Sequence, residues 1–183
     1  NMAGAKLYFK CENFQKMGAF KMRGAANVVL QLTAKEKSKG VTTHSSGNFA
    51  QAVALSGKLT GVKATIVMPS NAPIVKKKAV LGYGAKIIEC EPTLEAREAT
   101  ALQVVKDTGA TLLHPYNCYK VIAGNSSAAQ ELVEQVNSLD TIVAPVGGGG
   151  LISGTALAAN YFSNCTTYGA CLLYTSPSPR DGL

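Results

Sequence analysis

An α/β fold with parallel strands is predicted by three features of the sequence. Short apolar runs of strand length alternate with longer stretches of helical periodicity along most of the chain. Glycines follow the helical stretches where a left-handed stop residue is wanted, at Gly40, Gly61, Gly84 and Gly109. The 183 residues are 46% hydrophobic and 16% charged, globular values with material for one domain or two small ones.

Taken in order, Leu7–Cys11 reads as a strand, followed by a helix from the Lys21 region to about Leu32. Thr33-Ala34-Lys35-Glu36 is a capping box that opens a short helix, and Val41–Thr43 is a brief strand. Ser45-Ser46-Gly47-Asn48 is a loop, and Phe49–Leu59 is the next helix. Ala64–Met68 is a buried strand, and Pro73 suits the first turn of a helix over Ile74–Tyr83. Lys86–Cys90 is a strand, Leu94–Asp107 a helix and Thr111–Leu113 a strand. Ile122–Val136 is helical, Thr141–Val146 is a strand, and the glycines 147–150 lead into a helix over Leu151–Phe162. No internal repeat is visible. The last residues, 171–183, carry two prolines in three positions and no periodicity, and are expected to be a disordered or non-native tail.

Composition narrows the function. The net charge of +7 is spread along the chain, and its densest run, Lys76-Lys77-Lys78, has no interleaved aromatics. A solvated helix face explains that run, and no nucleic-acid partner is expected. No apolar run approaches a membrane span and no signal peptide opens the chain, so a cytoplasmic protein without a membrane partner is expected. The five cysteines are scattered and odd in number, which suits reduced thiols. With two distant histidines, no metal site is expected.

Three stretches could carry chemistry. Lys21 sits between Phe20 and Met22 at the start of a helix. Burial and the positive end of the helix dipole both disfavour an ammonium there, and so favour the neutral amine that attacks carbonyls. On these residues alone, a lysine that snorkels from a helix start fits as well. Ser45-Ser46-Gly47-Asn48 joins a strand to a helix N-terminus and offers hydroxyls and amides to an anion; an ordinary N-cap is the alternative. Gly147-Gly148-Gly149-Gly150 lets backbone amides approach a phosphate with no Cβ in the way. No Lys-Ser/Thr follows it and the dinucleotide glycine register fails, so a phosphate monoester suits it best. An activated lysine, an anion loop and a phosphate cradle are the parts of a pyridoxal-phosphate enzyme.

These stretches also resemble a family. Phe9-Lys10-Cys11-Glu12, Phe14-Gln15-Lys16, Gly18–Ala25 around Lys21, His44–Asn48, His114-Pro115, Val121–Gly124 and Pro145–Gly150 are similar to the serine racemase and serine/threonine dehydratase family. The resemblance covers roughly residues 7–170. It implies two parallel-sheet α/β domains of the fold type II, tryptophan synthase β-like architecture, present here in truncated form. The small domain would span 42–114, and 1–41 with 115–170 would belong to the large cofactor-binding domain, with the active site between them.

The resemblance implies roles as well. Lys21 would hold pyridoxal phosphate covalently and then act as a base on one face of the substrate Cα. Ser46 would serve the opposite face, as racemisation requires, whereas many threonine dehydratases have alanine there. Asn48 would hold the cofactor's 3′-oxygen, and Gly147, Gly148, Gly149, Gly150 and Leu151 its phosphate. Tyr116 would line the cofactor pocket. Ser45, Ser46 and Asn48, with the amides of their loop, would bind the amino-acid substrate, serine or secondarily threonine. Lys16, Met17, Gln51 and Tyr83 resemble the family's nucleotide effector site. ATP and Mg2+ or Ca2+ would be activators, and a homodimer the assembly. The chain departs from the family at Phe49, where histidine is frequent, and at Gly124-Asn125-Ser126-Ser127, where the family reads Gly-Gln-Gly-Thr. After Ala170 the family continues into a metal site and a serine at the pyridine nitrogen, so this chain by itself is expected to be unstable or inactive.

Overall fold

In the computed structural model the described residues are 4–172. They form, in chain order, α1 Lys21–Leu30, α2 Ala34–Lys39, β1 Val41–His44, α3 Asn48–Thr60, β2 Ala64–Pro69, α4 Ile74–Gly82, β3 Lys86–Cys90, α5 Leu94–Thr108, β4 Thr111–Leu112, α6 Tyr119–Gln135, β5 Thr141–Pro145, α7 Gly150–Phe162 and β6 Thr166–Ala170. The expected residues 173–183 of the tail lie outside the described residues. None of the described helices is long and apolar enough to cross a membrane.

The helix punctuation follows local chemistry. Thr33 accepts from the Glu36 amide while the Glu36 carboxylate accepts from the Thr33 amide, completing the capping box at α2. Gly61 and Gly109 adopt left-handed conformations just past α3 and α5, each returning its amide to the helix.

Four strands pair in the order β3-β2-β1-β4, all parallel. The sheet is covered on both faces. Ile66 and Met68 of β2 join the main core with Phe49, Ala50 and Val53 of α3, while Val67 between them packs with Ala101 and Val104 of α5. Burial on both sides is why Ala64–Met68 reads as an unbroken apolar run. The chain builds outward from β1 to β3 and then returns through α5 to β1's other edge. The carboxyl ends of β1 and β4 therefore flank a topological switch point, the usual ligand crevice of open parallel sheets.

A second sheet pairs β5 with β6 in parallel, with α7 as the crossover. Helices α1, α6 and α7 cross closely because small residues meet. A Cβ on Gly124 would lie 2.6 Å from the Arg23 carbonyl oxygen and 2.7 Å from the Gly24 Cα, and one on Gly154 would lie 2.6 Å from the Ile122 carbonyl oxygen. Helix α1 also packs on α3, so it bridges the two sheets' helical layers.

One expected strand is absent, and one strand forms where none was expected. The strand expected at Leu7–Cys11 is instead an extended segment leading into 3-10 turns at Glu12–Phe14 and Lys16–Gly18, because no neighbouring strand among the described residues pairs with it. Leu7, Tyr8 and Phe9 remain exposed, beside a cavity shared with β5. Strand β6 is the converse. Thr166-Thr167-Tyr168 has strand-forming side chains, but the five-residue stretch is mostly exposed and lacks the apolar run that marked the other strands.

Candidate active site

Lys21 is the first residue of α1 and is half-buried. Its Nζ donates a 2.7 Å hydrogen bond to the Pro115 carbonyl oxygen. The ring centroids of Phe20 and Phe49 lie 5.2 Å and 5.6 Å from the same nitrogen. Burial lowers the pKa of this ammonium from 10.5 to about 8. Of burial and the helix dipole, both expected from the sequence, burial is the cause that accounts for the shift.

An ion-pair network anchors the same helix two residues on. The Arg23 guanidinium binds both carboxylate oxygens of Glu12, at 2.7 and 2.8 Å, and both of Glu131, also at 2.7 and 2.8 Å. Arg23 and Lys10 together hold the Glu131 carboxyl down to about 2. The hydrogen bonds to the two carboxylates keep the Arg23 charge strongly favoured despite its burial. The N-terminal segment, α1 and α6 are thereby tied together beneath Lys21.

The turn after β4 is the other half of the Lys21 contact. His114 Nδ1 accepts the Asn117 amide at 2.9 Å and the Tyr116 amide at 3.4 Å. The His114 ring meets His44 of β1 edge-on at 5.7 Å and Tyr116 at 4.6 Å. The two histidines thus touch across the switch point between β1 and β4. Burial lowers the pKa of both imidazoles.

The Ser45–Asn48 loop leaves β1 on the same edge. The Ser45 amide donates to the Val67 carbonyl, and the Gly47 amide donates to Ser45 Oγ at 3.3 Å. Ser46 is half-buried, Asn48 is exposed at the start of α3, and Phe49, one residue on, packs beside Lys21. Gly47, the N-cap of α3, makes no side-chain cap bond, so the first amides of α3 are not capped by a side chain.

The tetraglycine loop connects β5 to α7. Gly149 is left-handed and caps α7 with no side chain, so the first-turn amides of α7 are likewise uncapped. A Cβ on Gly148 would collide with the Tyr116 ring, so that ring lies directly on the loop backbone. Asn125 of α6 is fully buried, and its Nδ2 donates to the Gly150 carbonyl at 3.3 Å.

The residues brought together are Lys21, Phe49, His44, His114, Pro115, Tyr116, Gly148 and Gly150, with the Ser45–Asn48 loop leaving the strand next to that of the His114 turn. Lys16, Met17, Gln51 and Tyr83 take no part in the contacts described above. Met17 and Tyr83 pack at the margin of the main core, and Gln51 lies on α3, which contacts both the Lys16 turn and α4. Sequence reasoning missed three contacts: the Pro115 carbonyl under Lys21, the His114 acceptor that shapes its turn, and Asn125 on Gly150. Asn125 left one signal, its place in Gly124-Asn125-Ser126-Ser127, a run of poor helix formers inside α6 that departs from the family.

A half-buried amine of lowered pKa, an uncapped glycine-rich helix start and an aromatic ring on that loop fit an aldehyde cofactor with a phosphate tail. They define a class of cofactor-dependent enzymes rather than a simple anion binder. A family model described as pyridoxal-phosphate dependent enzyme matches residues 1–176, and the chain belongs to that family. It is 52% identical over 158 residues to the serine racemase of Dictyostelium discoideum, covering 86% of this chain and 49% of that protein. It is 53% identical over 156 residues to the β-hydroxyaspartate dehydratase of Paracoccus denitrificans, covering 85% of this chain and 50% of that protein. The crystal structure of the Dictyostelium serine racemase matches with a TM-score of 0.91 at 49% identity, over 94% of this chain and 56% of that one. The fold type II expectation therefore holds. The chain spans about half the length of the curated relatives it matches.

Proposed function

We propose that the protein is a pyridoxal-phosphate-dependent serine racemase that also dehydrates serine to pyruvate and ammonia. The observation that carries this is the half-buried Lys21 amine, held on the Pro115 carbonyl with its pKa near 8. Pyridoxal phosphate, when bound, supplies an electron sink for charge developing at the substrate Cα. Lys21 would hold the cofactor covalently, the amides of Gly147–Gly150 and Leu151 would hold its phosphate, Asn48 would hold its 3′-oxygen and Tyr116 would line its pocket.

The chain's own residues then do the following. The Ser45–Asn48 loop binds the substrate carboxylate through hydroxyls and uncapped amides at the start of α3. Once the substrate amine has displaced it from the cofactor, Lys21 Nζ would take the Cα proton from one face, and its lowered pKa leaves a usable fraction of free amine near neutral pH. Ser46 Oγ returns or removes a proton on the other face, which inverts the centre. Dehydration needs Lys21 and the loss of the β-hydroxyl, without Ser46. The active site lies between a small unit over 42–114 and a large one containing 1–41 and 115–170. ATP at Lys16, Met17, Gln51 and Tyr83, a divalent cation and homodimerisation belong to the same proposal as activating features.

The Paracoccus relative supports a second reading, dehydration of a 3-hydroxyaspartate, in which the Ser45–Asn48 loop and the Lys21 face serve a substrate with a second carboxylate.

Incubation of the purified protein with pyridoxal phosphate, borohydride reduction and peptide mapping should place the adduct on Lys21; an adduct only elsewhere overturns the proposal. Chiral analysis of serine should show Ser46→Ala losing racemisation by about 100-fold or more while pyruvate formation persists. Unchanged racemisation in that variant would eliminate the two-face mechanism. Faster turnover of 3-hydroxyaspartate than of serine would favour the second reading.

A further inference from the structure

We propose that His114 is a positioning residue for Lys21: its Nδ1 gathers the Tyr116 and Asn117 amides into the turn that presents the Pro115 carbonyl to the lysine and lays the Tyr116 ring on Gly148. It rests on Lys21 being the reacting amine. Every link is a contact already described. Nδ1 accepts from Asn117 at 2.9 Å and from Tyr116 at 3.4 Å. Pro115, inside that turn, accepts from Lys21 Nζ at 2.7 Å. Tyr116 covers the glycine loop so closely that no Cβ fits at Gly148. One imidazole therefore sets both the lysine and the phosphate-loop side of the site.

The arrangement works only with a neutral ring. An acceptor at Nδ1 requires that nitrogen to be unprotonated, which leaves the proton on Nε2. Protonation would turn Nδ1 into a donor facing two N–H donors and release the turn. The groups around His114 bias it accordingly. Burial, the neighbouring His44 and the Lys21 charge lower its pKa, while Glu98 of α5 opposes them. The phenol of Tyr116, whose ring meets it edge-on, completes the titratable surroundings, and Arg97 of α5 acts on His44 in the direction that keeps that ring neutral too. The turn is held at neutral pH and is released as pH falls through the His114 pKa, below 6.5.

Asparagine separates positioning from mere filling of space. Its Oδ1 takes the place of Nδ1 as an acceptor for amides two and three residues on, as in an Asx turn, and it does not titrate. Leucine fills the volume and accepts nothing. The pKa of Lys21 is read in the cofactor-free protein by competitive acetylation with acetic anhydride and mass spectrometry. Exchange of the Asn117 amide is followed by NMR from mildly acidic to neutral pH.

His114→Leu is expected to hydrate Lys21 and raise its pKa, cutting the free amine near neutral pH about tenfold. His114→Asn should keep the Lys21 value of the unmodified protein. The Asn117 amide should lose its protection on acidification in the unmodified protein and keep it in His114→Asn. An unchanged Lys21 in a folded His114→Leu, or acid loss of Asn117 protection in His114→Asn as well, overturns the proposal. If His114→Leu does not fold, the Asn117 comparison between the unmodified protein and His114→Asn decides alone. Borohydride trapping in the same samples reads the functional assignment separately: an unlabelled Lys21 with intact His114 effects removes the proposed function and leaves the positioning role.

Discussion

Lys21→Met is expected to abolish the borohydride-trapped adduct and, near neutral pH, to stabilise the fold by about 1–2 kcal/mol. The native state holds a half-buried ammonium that would be better solvated in the unfolded chain, and methionine of similar length removes that cost. Loss of the bond to Pro115 offsets part of the gain. The pH dependence identifies the cause. The native pKa is about 8 against 10.5 for an unperturbed lysine, so between those values the unfolded chain binds more protons. Stability of the unmodified protein therefore rises as pH increases through that window. Below it, lysine is charged in both states and the full cost is present. The difference between Lys21→Met and the unmodified protein should be greatest below the native pKa and shrink towards pH 10.5. Denaturant unfolding across this range measures it. A variant less stable at neutral pH, or a difference that does not shrink, contradicts the burial argument.

Gly124→Ala should destabilise the fold by about 1–3 kcal/mol although alanine is the better helix former. The added methyl would stand 2.6 Å from the Arg23 carbonyl oxygen, 2.7 Å from Asn27 Cβ and 2.7 Å from Gly24 Cα. Two of those three atoms are backbone, so relief requires α1 and α6 to separate rather than one side chain to turn. Separation loosens the Arg23–Glu131 pair and moves the helix that begins at Lys21. A fall in Tm and a higher Lys21 pKa should accompany each other. Gly82→Ala is the control: it lies in α4 with no atom within 4 Å of the added methyl. It should leave Tm unchanged or raise it slightly. If Gly124→Ala behaves like Gly82→Ala, the close crossing does not hold the site.

Much of this was legible in residue order. The strand at Ala64–Met68 declared itself by an apolar run, α2 by Thr33 and Glu36, and the ends of α3 and α5 by single glycines. Lys21, the serine loop and the four glycines were each recognisable because their chemistry needs few neighbours: a lysine between apolar residues, and backbone amides freed of Cβ atoms. Leu7–Cys11 misled because a strand is defined by its partner, and residue order carries no partner. Strand β6 was hidden because its five residues lack a continuous apolar run.

By itself, then, the sequence determined the alternation of strand and helix and marked three candidate stretches, since these depend on periodicity, capping and backbone freedom within a few residues. Only the tertiary structure decided what surrounds Lys21. The pKa near 8 comes from burial, and the carbonyl that holds the amine lies 94 residues further along the chain. The switch point between β1 and β4 exists only once the chain has returned across its own sheet. The close crossing at Gly24 and Gly124 likewise exists only between helices already packed. Desolvation and long-range contact are properties of the packed molecule, and no local pattern encodes them.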